Sequence, residues 1–225
     1  MFNVLYEDNH ILVCEKPAGI PTQAGKITEK DMVSEVNNYM RKAGDKSPAY
    51  LIHRLDKPVR GILVFAKTKQ AAADLNRQMT AVLDEKAAKK GIEKRYIAIV
   101  EGSFTEKEGI LDNYIYKDGN RAYIDELNNK PDSKRALLKY AVIEEKSVEK
   151  QENATHICKI DIELLTGRFH QIRCQLSNIE HPIVGDTLYG STTTYEKRKA
   201  IGLTAYSLSF IHPFTKEKLN FEIPV

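Results

Sequence analysis

Apolar residues recur along the chain mostly at strand spacing, with a few segments at helical spacing. Two apolar runs, residues 3–7 ("NVLYE") and 10–15 ("HILVCE"), flank a polar Asp-Asn step, and this pattern predicts a β-hairpin. "KPAGIP" follows, and its prolines and glycine end any regular element. In "DMVSEVNNYMRKA" the residues Val33, Val36 and Met40 share one helical stripe. "GILVFAKT" reads as a short apolar strand. Thr68 then caps a helix with Ala71, Leu75 and Met79 at four-residue spacing. "EKRYIAIVEG" is a β-branched strand, and "LDNYIYKDGNRAYIDE" a hairpin turning at glycine. "KRALLKYAVIEE" and "HICKIDIELLTG" predict two more strands, split by the charged loop "KSVEKQEN". "RFHQIRCQLSNI" predicts a helix with Phe169, Ile172 and Leu176 on one side and Arg168 at its start. Strands over "LTAYSLSFIH" and "KLNFEIP" close the chain. Many hairpin-linked strands with three or four helices define an α+β class with a mixed or mostly antiparallel sheet. Without regular β-α-β alternation, a doubly wound nucleotide-binding fold is not expected.

Composition narrows the class further. The 225 residues suffice for one sizeable core, and no repeat or long linker divides them, so a single domain over residues 1–225 is expected. No apolar run spans a bilayer, and the first ten residues lack the basic start of a signal peptide. Three cysteines, Cys14, Cys158 and Cys174, lie far apart, which argues against a disulfide framework and for a cytoplasmic protein with reduced, buried thiols. The net charge is only +3 but uneven. Residues 54–95 carry eleven Lys/Arg against five Asp/Glu. Such a basic region on a near-neutral chain suits either a polyanionic partner or a solvated helix face.

Familiar catalytic patterns are missing. There is no G-x-G-x-x-G, no complete phosphate-binding P-loop, no G-x-S-x-G turn and no H-x-x-x-H pair, so neither a nucleotide cofactor nor a metal is expected. The distinctive stretch is "HRLDKPVRG", residues 53–61, where one carboxylate, Asp56, sits among Arg54, Lys57 and Arg60. Nearby cations keep a carboxylate ionised, and shielding from water makes it a competent nucleophile. An exposed ion pair worth about 0–1 kcal/mol is the plainer alternative. Two features favour the working role: a loop just before a strand is a usual place for reactive groups, and "TGRFHQIRCQL" is a second cationic cluster whose Arg168 or Arg173 could partner the acid.

At this point the residues resemble a known family. "HRLDKPVRGILVFAK" is similar to the HRLD-x-x-TSG-LLL-x-AK signature of the RluA-type pseudouridine synthases. "VLYEDNHILVCEKPAGIP", "EKRYIAIVEG", "GRFHQIRCQLSNIEHPIVGDTLYG" and "LTAYSLSFIHPFTKEKLNFEIP" resemble four further blocks of the family, in its order and over nearly the whole chain. The resemblance implies a mixed, mainly antiparallel sheet with flanking helices and a central basic cleft. It implies isomerisation of specific uridines in rRNA or tRNA to pseudouridine, without metal or organic cofactor. Asp56 would be the nucleophile, attacking ribose C1′ or uracil C6. Tyr96 would stack on the uracil and help to remove the C5 proton. Arg168 would hold the carboxylate ionised and oriented. Arg54 would fill the stack behind a flipped-out uridine, since a side chain cannot reach those carbons in a stacked base. One carboxylate suffices because no water enters, whereas a hydrolase usually needs a second.

Departures from the family pattern bear on substrate choice. Val59 and Arg60 stand where Thr-Ser is usual, Phe169 replaces a threonine beside Arg168, and Cys174-Gln175 replaces a small residue and histidine. Arg60 is therefore an expected RNA contact. Gln171 and Arg173 are expected to meet RNA or the surroundings of Arg168, or else to lie on a solvated helix surface. The basic 67–95 segment is expected to add RNA contacts or to be a solvated loop. The match begins near residue 3, so no N-terminal S4 RNA-binding domain is expected. RNA is the expected partner, with no membrane, no obligate protein partner and a monomeric state. A non-catalytic RNA-binding protein and a nucleic-acid glycosylase are the competing readings.

Overall fold

The structure, a computed structural model, describes residues 2–25, 29–81, 91–150, 153–195 and 199–225. In chain order the elements are β1 (Asn3–Glu7), β2 (Ile11–Lys16), α1 (Met32–Lys42), β3 (Tyr50–Leu51), β4 (Arg60–Ala66), α2 (Lys69–Ala81), β5 (Glu93–Glu101), β6 (Glu108–Asp118), β7 (Arg121–Ile124), β8 (Lys134–Lys150), β9 (Asn153–Leu164), α3 (Gln171–Asn178), β10 (Leu203–Ile211) and β11 (Lys218–Glu222). The chain divides into two compact units, residues 1–94 with 205–225 and residues 95–204.

In the first unit, β1 and β2 form the expected hairpin and β2 pairs antiparallel with β4. β3 also pairs with β4, β10 lies beside β4, and β11 pairs antiparallel with β10. The alternating faces of β2 and β4 are both covered. Ile11, Val13, Ile62 and Val64 pack with Ala71 and Leu75 of α2 and with Leu208 and Phe210 of β10. Leu12, Cys14, Leu63 and Phe65, on the opposite side, are equally buried. That explains why these strands read as unbroken apolar runs. The expected helical features hold. Asp31 caps α1 through the Ser34 N–H at 2.8 Å, and Thr68 caps α2 through the Ala71 N–H at 3.1 Å. α1 buries Met32, Val36 and Met40, so Met32 joins the stripe while Val33 is half-buried.

The second unit is an antiparallel sheet in the order β5-β9-β8-β6-β7. Its core includes Ile115, Ala122, Ala136, Cys174 and Tyr189, with Phe169 packed against them. The charged loop expected between β8 and β9 is instead mostly strand, paired through Ser147↔His156 to Lys150↔Asn153. Glu144, Glu145, Lys146 and Ser147 are all exposed, so charge hides the pairing without preventing it. The expected basic stretch "DEKAAKKGIEKR" lies, over residues 84–90, outside the described residues. Among the described residues no helix is long and apolar enough to cross a membrane.

Candidate active site

The Asp56 loop, residues 52–59, joins β3 to β4 within the first unit. It is tied down at several points. The Leu55 N–H donates to the Thr22 hydroxyl at 3.0 Å, and that hydroxyl donates to the Leu55 carbonyl at 2.8 Å. The Val59 N–H closes a turn on the Asp56 carbonyl at 3.0 Å, and the Gly19 N–H donates to the Lys57 carbonyl at 2.7 Å. Gly61 ends the run for a steric reason. A Cβ there would lie 2.4 Å from the Ala205 Cβ of β10, so only glycine lets β4 and β10 approach.

Lys16, at the end of β2, is the residue the sequence reading passed over. Its side chain is wholly buried. The ammonium donates to the carbonyls of Pro17 at 3.0 Å, Ile20 at 2.7 Å and Lys57 at 3.2 Å. It thereby fastens the Lys-Pro-x-Gly loop to the turn that carries Asp56. Burial pushes its pKa down to about 8, against the opposing charge of Asp56. The signal was present in "EKPAG", but three backbone acceptors from two loops have no sequence signature.

The other groups of the loop sort by exposure. Asp56 itself is half-buried and Arg54 is exposed, with no ion pair for Arg54 among the described residues. Arg60 is engaged. Its Nε meets Glu15 at 2.5 Å and its Nη1 donates to the Pro224 carbonyl at 3.0 Å. Lys57 pairs with Glu29 at 2.6 Å on the surface. His53 is buried, and burial, aided by the Lys94 charge, pushes its pKa down to about 3. It is a neutral ring, with Nε2 accepting the Val64 N–H at 3.4 Å.

In the second unit Tyr96 lies on β5, buried and opposite Ile162 of β9. Arg168 lies before α3 rather than at its first turn, and its Nε donates to the Arg135 carbonyl of β8 at 3.0 Å. The sharp turn into α3 falls at His170, which adopts left-handed φ 51°. The ring of His170 stacks on Phe169 and its Nδ1 contacts the Tyr189 hydroxyl at 3.1 Å.

Gln171 and Arg173 are both buried rather than solvated on the helix surface, and of the expected alternatives Gln171 meets the surroundings of Arg168. The Gln171 carbonyl oxygen accepts from the Thr166 hydroxyl at 2.7 Å and the Arg168 N–H at 3.0 Å, while its amide donates to the Leu137 carbonyl at 3.2 Å. It fixes the backbone at Arg168 against β8. Arg173 forms a bidentate pair with buried Asp186 at 2.6 and 2.8 Å and lies over the Tyr189 ring at 4.9 Å. A guanidinium sequestered in this way has no face left for phosphate.

Comparison with known proteins identifies the family. A family model described as RNA pseudouridylate synthase matches residues 10–178. An uncharacterized RNA pseudouridine synthase of Bacillus subtilis, YhcT, is 31% identical over 99% of this chain and 68% of its own length. The ribosomal large subunit pseudouridine synthase D of Nitrosomonas europaea is 30% identical over 99% of this chain, which spans 61% of that protein. The tRNA pseudouridine synthase C of Vibrio parahaemolyticus is 29% identical over 96% of this chain and 87% of its own. A solved structure of human RNA pseudouridylate synthase domain containing 1 shares the fold, with TM-score 0.75 at 21% identity over 100% of this chain and 84% of that one. The chain belongs to the RNA pseudouridylate synthase family.

Proposed function

We propose that this protein isomerises specific uridines in ribosomal or transfer RNA to pseudouridine, with Asp56 as nucleophile. Residues 1–225 act as one catalytic domain, monomeric and cytoplasmic, with RNA as substrate and no cofactor. The observation that carries the assignment of Asp56 is the anchoring of its loop. A half-buried carboxylate stands on a turn fastened by Thr22, Gly19 and the buried ammonium of Lys16. Reactive groups need such support to hold their geometry.

The Asp56 carboxylate bonds to ribose C1′ or uracil C6, and the N1–C1′ bond breaks. The base turns while held, C5 bonds to C1′, and the carboxylate is released as the C5 proton leaves and N1 gains one. Atoms balance without water or an external base donor. Tyr96 supplies the ring on which the uracil stacks and assists loss of the C5 proton. The family resemblance assigns Arg168, its backbone fixed by Gln171, as the cationic partner of the Asp56 carboxylate. Arg54, exposed beside Asp56, occupies the place the flipped uridine leaves.

The test is to map pseudouridines in ribosomal and transfer RNA from cells with and without the gene. Sites lost on deletion and restored by wild type, but not by Asp56→Asn, support the proposal. An unchanged map in both RNA pools overturns it.

A further inference from the structure

The β6–β7 hairpin carries a surface that the proposed chemistry does not use. Tyr116 and Tyr123 are directly opposed across the two strands, and their rings stack with centroids 5.7 Å apart and planes 25° apart. Tyr123 and Tyr114, which shares the Tyr116 face by strand alternation, are each 38% exposed. Two cations lie against these rings. The Arg121 guanidinium, its Nε buried, lies between the Tyr123 ring at 5.3 Å and the buried Tyr189 ring at 5.0 Å, and the Lys130 ammonium is 5.7 Å from the Tyr116 centroid. Neither forms an ion pair among the described residues. Asp118, opposite Arg121 in the register, makes none with it, and Asp125, whose carboxylate accepts the backbone N–H groups of Asn129 and Lys130, attracts the Lys130 ammonium without a salt bridge to it. By contrast, Lys107, Arg135 and Lys139 of the same unit are each held by a carboxylate.

A cross-strand tyrosine pair can serve the hairpin alone. It does not call for two cations outside any salt bridge beside partly exposed rings. Partly exposed rings together with positive charge outside any salt bridge suit a single-stranded nucleic acid, bases stacking on the rings while phosphates meet the cations.

We infer that the Tyr116–Tyr123 face of this hairpin, with Arg121 and Lys130, is a docking surface for an unpaired stretch of the substrate RNA. The inference rests on the proposed function, since it names where the RNA is held beyond the reacting uridine. Stacking needs unpaired bases, so a fully paired stem should gain little from this surface.

The test measures fluorescence anisotropy with a short labelled oligouridylate and with a paired RNA stem. Tyr116→Ala/Tyr123→Ala is expected to weaken oligouridylate binding about tenfold to a hundredfold and stem binding far less. Tyr116→Phe/Tyr123→Phe, which keeps the rings, is expected to recover most of that affinity. Lys130→Gln, on an exposed residue that cannot disturb the core, is expected to lower the slope of log affinity against log salt by roughly one. An alanine pair that stays folded and binds as wild type, or an unaltered Lys130→Gln slope, overturns the inference. Pseudouridine formation by wild type in cellular RNA is assayed alongside. If wild type forms it while these variants bind normally, only the docking surface is wrong. If wild type forms none in any pool, the proposed function fails and the inference with it.

Discussion

The buried ammonium of Lys16 donates to the carbonyl of Lys57 at 3.2 Å, the residue next to Asp56. Its other two bonds end on Pro17 and Ile20, so one side chain joins two loops that are forty residues apart in the chain. Lys16→Met is expected to leave three carbonyls without this donor, each unmade buried bond costing about 1–3 kcal/mol. Turnover should fall by at least about tenfold through loss of the loop's geometry. Because Lys16 loses its proton near pH 8, wild-type activity should decline on the alkaline side with a midpoint there. The stability effect has the opposite sign. Unfolding takes up a proton between about pH 8 and the ordinary lysine value of 10.5, so this group's penalty on folding is relieved as pH rises through that window. A pH–rate profile of wild type that stays flat through pH 9.5 would contradict the coupling.

His53 should make the protein sensitive to acid. Its folded pKa, about 3, lies below the ordinary 6.5, so the unfolded chain binds more protons between those values. The stability present above pH 6.5 is lost as pH falls toward 3, at about 1.4 kcal/mol per pKa unit once the proton binds only the unfolded chain. Urea midpoints measured from pH 7 to pH 4 should fall more steeply for wild type than for His53→Gln.

Gly61→Ala is expected to destabilise by about 1–3 kcal/mol or more, because the new methyl meets the Ala205 backbone and Cβ, which cannot swing away. Gly119→Ala, in the open β6–β7 turn, has nothing within 4 Å and should cost only the roughly 1 kcal/mol of a left-handed residue at φ 56°. Chemical denaturation of the two variants gives the ranking directly.

Arg173→Met should cost about 3–5 kcal/mol, because it leaves Asp186 buried and charged without its partner. Arg173→Met/Asp186→Leu should recover most of that loss. The salt dependence of RNA binding by the folded double variant should match wild type, since Arg173 has no phosphate to release. A reduced slope would return Arg173 to the RNA interface.

Much of this molecule was legible in its sequence. The β1–β2 hairpin, the Thr68 cap and the Ala71–Leu75 stripe follow from periodicity and local hydrogen-bonding chemistry, which act within a few residues. The β8–β9 extension was not legible, because a strand pair with exposed charged side chains looks like a loop. Asp56 stood out by its setting among cations. Lys16, Gln171 and Arg173 did not reveal their roles, since each depends on acceptors or carboxylates brought close only by folding. Arg173 and Gln171 looked like surface residues because charge and polarity alone do not show whether a partner such as Asp186 or Thr166 waits in the interior.

The central claim is that the Asp56 carboxylate attacks the uridine, and it is tested by tritium release from RNA labelled at uridine C5. Wild type is expected to release tritium from its target uridine without forming free uracil, and Asp56→Asn to release none. Release by Asp56→Asn at the wild-type rate, or free uracil from wild type, would contradict it.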